Sequence, residues 1–137
     1  MFIIESLRSD GRRWVSGAFL QQETANEAMG AISSQTATVH MLREVADLVF
    51  PLFIIERDGF EYQTPRETLS ILRSVQPKGE ADHVHLNLFF LPAEYMPEVP
   101  GRNEMGRLRH WHISDRELAE PLTLDPWKTL VAAAGDA

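Results

Sequence analysis

The chain has 137 residues, with 13 basic against 20 acidic side chains, a net charge of -7 and no cysteine. One ordinary domain, 1–137, accounts for that length, and such a chain buries roughly two thirds of its unfolded surface without a staple. The absence of cysteine excludes a disulfide framework, thiolate catalysis and cysteine-bound zinc. The acidic balance argues against nucleic acid, whose phosphates supply most non-specific affinity, and suits a basic protein partner. Met1 to Asp10 has neither a basic n-region nor an apolar h-region, and no apolar run approaches the ~18 residues of a membrane span. A cytoplasmic protein with no membrane association is the expectation.

Phe2 to Arg8 is rich in β-formers, and Ser9-Asp10-Gly11-Arg12 is a hairpin turn leading to a return strand from Trp14 to Leu20. Thr24-x-x-Glu27 reads as a capping box, with Ala25, Ala28, Met29 and Ile32 forming one helical apolar face. Ala37 to Glu44 fits either period. Leu52 to Arg57 is a strand, and Asp58-Gly59 turns it back into Phe60, Glu61 and Tyr62. Thr64-Pro65-x-Glu67 opens a second helix more strongly, with a cap, a proline at the first helical position and a capping glutamate. Its buried stripe is Leu69, Leu72 and Val75.

From His83 to Leu91 the pattern alternates. Val84, Leu86, Leu88 and Phe90 point one way; His83, His85, Asn87 and Phe89 point the other. Pro92 to Gly106 is irregular and rich in proline and glycine. Arg107 to Ile113 reads as another strand, Ser114 to Glu120 as a short helix, and Asp125-Pro126 as the start of a last helix.

Phe-Ile-Ile-Glu occurs at Phe2–Glu5 and again at Phe53–Glu56. Each copy runs into Asp-Gly, an aromatic residue, Thr-x-x-Glu and later Val-His, at Val39-His40 and Val84-His85. Internal duplication and convergent use of common turn and cap chemistry both account for this order. The comparison selects a strand for Ala37 to Glu44. The expected fold is α+β, a mostly antiparallel sheet with two or three helices on one face, in the order ββαβ-ββαβ-βα.

Two constellations carry candidate chemistry. His83, His85, His110 and His112 lie at strand spacing, so neighbouring strands in register would gather imidazoles suited to zinc or a similar divalent metal. The repeat adds Glu5 with Glu56 and His40 with His85. The second constellation is Arg107, Arg109 and Trp111 on one strand face, with Tyr95 in the preceding loop. Guanidinium forks beside an aromatic plate suit an anionic or planar ligand. No Gly-x-Ser-x-Gly elbow, phosphate loop or dinucleotide fingerprint is present.

The reading is therefore a small acidic cytosolic binding or interaction protein without catalytic activity or cofactor. It would hold a protein partner, immunity-type proteins having this size and charge, or a small ligand. Covering the second face of the sheet would suit a homodimer. The alternative is a divalent-metal-dependent enzyme using histidine and glutamate on the sheet.

Overall fold

The computed structural model describes residues 1–32, 37–57, 59–74, 85–114 and 126–135. The chain divides into two compact units, Met1–Phe50 with Ala93–Leu108, and Pro51–Pro92 with Arg109–Ala137. The fold is α+β, with antiparallel sheets and three helices among the described residues. No described helix is long and apolar enough to cross a membrane.

In the first unit, β1 (Phe2–Arg8) lies between β2 (Arg13–Phe19) and β3 (Thr38–Glu44), both antiparallel to it. Ala37 to Glu44 is thus mostly strand. Ile4 and Phe19 pack on Ala25 and Ala28 of α1 (Gln22–Ala31), with Phe2 and Leu42 at the margin. The α1 start differs from its reading. The helix begins two residues before Thr24, and its N-cap, Gln21, makes no side-chain cap bond. The first helical bond runs from the Ala25 N–H to the Gln21 carbonyl, 3.2 Å. Packing of Ala25 and Ala28 thus sets this helix, whose capping motif lies unused inside the first turn.

The register of β1 shifts between Ile4 and Glu5: Ile4 opposes Gly17, whereas Glu5 opposes Val15. Ser16 is the extra residue of this β-bulge. Bulges re-aim the side chains around them, and here Ser16 joins Ser6 on the α1 side of the sheet. The 92–106 segment is attached to β2. Tyr95 exchanges both main-chain hydrogen bonds with Ala18, at 2.9 and 3.0 Å, and the Val15 N–H donates to Met105 Sδ at 3.2 Å.

In the second unit, β4 (Leu52–Glu56), β5 (Phe60–Gln63), β6 (His85–Leu91) and β7 (Arg109–Ser114) form an antiparallel sheet in the order β5-β4-β6-β7. Helices α2 (Pro65–Ser74) and α3 (Pro126–Ala134) cover one face. The α2 capping box forms as read: the Glu67 N–H donates to Thr64 Oγ1 at 3.1 Å, and the Thr64 N–H donates to Glu67 Oε2 at 3.3 Å. Phe53, Ile55, Leu69, Leu72, Leu86, Leu88, Ile113 and Leu130 make a dry core. The readings for Val75, His83, Val84, Asp125 and the 115–120 helix lie outside the described residues.

The two Phe-Ile-Ile-Glu strands hold matching places, each central between its hairpin partner and the strand after the helix. Register corrects one equivalence. Ile4 pairs with Leu42, and Ile55 pairs with Leu88, so His40 corresponds to Leu86 and not to His85. A one-residue slip exchanges the faces of a strand. His40 therefore lies on the helix side, where its counterpart is Leu86.

Candidate ligand-binding groove

β7 alternates as Arg109-His110-Trp111-His112-Ile113, and its register on β6 sorts these side chains into two faces. Phe90, Leu88 and Leu86 pair with Arg109, Trp111 and Ile113 on the helix side. Phe89 and Asn87 pair with His110 and His112 on the other.

On the helix side, the Arg109 guanidinium stands over the Trp111 ring, with Cζ 5.0 Å from its centroid. The Phe90 ring stacks on Phe53 at 4.9 Å and 18°. Pro51 precedes β4 and Pro92 follows β6. The pairing of Leu52 with Leu91 brings both prolines to the same end of the sheet. Across from them, α3 contributes Lys128 and Ala132, one turn apart, and Thr129 and Ala133. These residues, with Phe90 and Arg109, line a groove of about 570 Å³, within the range of small-molecule sites. The two alanines leave room where longer side chains would fill it. The two prolines form a wall with no main-chain donor to satisfy.

Two cations therefore overlook an apolar floor. Among the described residues, ion pairs engage Arg8, Arg12, Arg43, Arg57 and Arg107, and none engages Arg109 or Lys128. In a chain of net charge -7, two cations lining one groove without a described acidic partner are uncommon. The groove can hold an anionic head between Arg109 and Lys128, and an apolar or aromatic body against Phe90 and the prolines. No carboxylate, histidine or cysteine is among its described lining residues.

Of the residues read as ligand-binding, Arg109 lines the groove, and Trp111 meets its guanidinium without itself lining the groove. Arg107 does not share their strand. It closes a 3-10 turn, Met105–Arg107, in the first unit. Its guanidinium pairs with Glu98 at 2.9 Å and lies 3.9 Å from Glu104. Tyr95 also belongs to the first unit; burial and the nearby Glu104 carboxylate push its phenol up to about 12. Lys128, Phe90, Pro51 and Pro92 escaped the sequence reading. Lys128 carried one faint signal, being one of two lysines beside eleven arginines.

Of the residues read as metal ligands, His110 stacks on Phe89 at 4.5 Å, and its Nε2 is hydrogen-bonded to Asn87 Oδ1 at 2.9 Å. His112 is exposed on the same face. His83 and the side chain of His85 lie outside the described residues. Among the described residues, no group of three or more His, Asp or Glu side chains is placed to hold a metal ion. Glu5 accepts a hydrogen bond from Arg43 at 3.3 Å.

The first unit holds a second polar assembly. Ser6 Oγ lies 2.6 Å from Ser16 Oγ and 2.6 Å from His40 Nδ1, and the Trp14 ring meets the His40 ring edge-on at 6.5 Å. A serine at that distance from imidazole has the spacing of a nucleophile and its base. Both serines are only 2 % exposed, however, so neither hydroxyl meets a reagent. The chain of bonds joins three strands internally, and burial lowers the His40 pKa. Gly101, at φ +79°, closes over it; a Cβ there would stand 2.8 Å from Ile32 Cγ2.

No protein-family model matches the chain, and no curated protein or solved structure matches it.

Proposed function

We propose that this protein is a non-catalytic binding protein whose site is the Arg109–Lys128 groove. Its ligand is a small molecule with an anionic head, a carboxylate in the simplest case, and an apolar or aromatic body. One observation carries the reading: two cations without a described acidic partner overlook an apolar groove of about 570 Å³. A hydrogen bond to a charged group contributes about 1.5–3 kcal/mol. Offset by lost ligand freedom, two such contacts and a modest apolar area correspond to a Kd of about 10–1000 μM for a minimal probe.

Calorimetric titration with 2-naphthoate, beside its uncharged analogue 2-naphthamide, tests the reading. The carboxylate binds in that range, the amide binds about tenfold or more weakly, and added salt weakens only the carboxylate. Arg109→Gln and Lys128→Gln each bring the carboxylate close to the amide. Equal affinity for the two probes, or no heat from either at millimolar concentration, would overturn it.

A further inference from the structure

The two edges of the first unit's sheet are treated differently. β2 is closed along its outer side: Tyr95 pairs with Ala18, Glu94 accepts the Leu20 N–H at 3.0 Å, and Met105 accepts the Val15 N–H. Among the described residues, no strand pairs with the outer side of β3. β3 has no proline and no bulge, and its register on β1 is continuous over all seven residues. Natural sheets ordinarily protect such an edge.

The direction of its main-chain groups follows from the pairing. Met1 and Val45 exchange both main-chain bonds. Antiparallel alternation then makes Ile3–Arg43, Glu5–Met41 and Leu7–Val39 the bonded pairs, and turns the main chain of His40 and Leu42 outward. On the face opposite α1, Val39, Met41 and Leu7 are 57, 49 and 41 % exposed. Apolar side chains thus flank the outward main-chain donors and acceptors of His40 and Leu42.

We infer that β3 is the interface with a second copy of this chain, joined antiparallel about a two-fold axis at Met41. His40 then pairs with the partner's Leu42, Met41 meets the partner's Met41, and Val39 lies against the stem of the partner's Arg43. The charge pattern selects this occupant and this register. The charged end, Arg43-Glu44, meets the uncharged end, Thr38-Val39, so no like charges oppose. A parallel copy would set Arg43 against Arg43 and Glu44 against Glu44. Sliding by one residue pair either sets His40 opposite His40 or brings the two arginines onto diagonal positions. Each Arg43 is already compensated by Glu5 within its own chain. The two protomers each carry -7, so association strengthens as salt screens their repulsion. This dependence is opposite in sign to that of the anionic ligand.

Sedimentation equilibrium on the full chain tests the interface. The native protein gives twice the 15.6 kDa protomer mass, and Met41→Lys weakens association by about tenfold or more with an unchanged circular dichroism spectrum. Because the chain has no cysteine, Met41→Cys provides an independent readout. A non-bonded antiparallel pair separates its Cα atoms by about 4.5 Å, within disulfide reach. Mild oxidation therefore cross-links Met41→Cys, and leaves Leu20→Cys, at a 50 % exposed control position, uncross-linked. A native monomer at about 1 mM, a dimer untouched by Met41→Lys, or equal cross-linking at positions 20 and 41 would each overturn the inference.

Discussion

The two strands that carry Phe-Ile-Ile-Glu are alike in place and unlike in surroundings. In β4, Phe53 and Ile55 enter a hydrophobic cluster with Leu69, Leu72, Leu86, Leu88, Ile113 and Leu130. In β1, the side that begins with Phe2 and Ile4 continues into Ser6, which bonds to the bulged Ser16 and to His40. One unit is held by dry packing, and the other combines packing with a buried polar relay. A shared tetrapeptide thus specifies the position of a strand, while residues from distant parts of the chain decide what surrounds it.

The largest effect that sharpens this contrast is on the first residue of the tetrapeptide. Phe53 is fully buried, whereas Phe2 is only partly so. Phe53→Ala should cost about 3–5 kcal/mol of unfolding free energy, and Phe2→Ala less than half as much. Equal losses in denaturant titrations would break the comparison.

The next residue pair along the strands is Ser6 and its counterpart Arg57. Ser6→Ala strands Ser16 and His40 Nδ1 in a buried site, at about 1–3 kcal/mol. Arg57→Ala removes a surface ion pair with Glu61, worth at most about 1 kcal/mol.

Capping gives a smaller difference. The motif Thr-x-x-Glu occurs in both units, but only Thr64 caps its helix. Thr64→Ala should cost about 1 kcal/mol, and Thr24→Ala less than about 0.5 kcal/mol. Thermal denaturation of the two variants separates them.

The relay also makes the first unit sensitive to acid. Burial holds the folded pKa of His40 below its ordinary 6.5, so in that window the unfolded chain binds more protons. The His40 contribution is fully present above pH 6.5 and is lost as pH falls through that value toward the lowered one. His40→Gln should flatten the loss of stability between pH 7.5 and about pH 5 relative to the native chain. An identical pH profile for the two proteins would remove the relay from the account.

Local chemistry was legible in the sequence, and distant pairing was not. The α2 start could be read because Thr64, Pro65 and Glu67 act within one turn. The faces of β6 could be read because alternation is a property of the strand itself. The same signals misled where packing overrode them. Ala25 and Ala28 set α1 two residues early, and Arg107 coils into a 3-10 turn that the alternating residues after it did not reveal. The Val-His match, one residue out of register, equated His40 with His85, whereas the strand register makes Leu86 its counterpart. Ser6 and His40 meet across 34 residues, and the groove joins Pro51, Phe90, Arg109 and Lys128 from separate elements. Only the assembled sheet brings such residues together.

The most direct test of the groove is a two-dimensional NMR titration of the isotope-labelled chain with 2-naphthoate. Concentration-dependent shifts are expected at the Trp111 indole N–H and at the amides of Phe90, Arg109, Lys128 and Ala132, all lost in Arg109→Gln. Shifts concentrated elsewhere, or shifts that persist unchanged in Arg109→Gln, would contradict it.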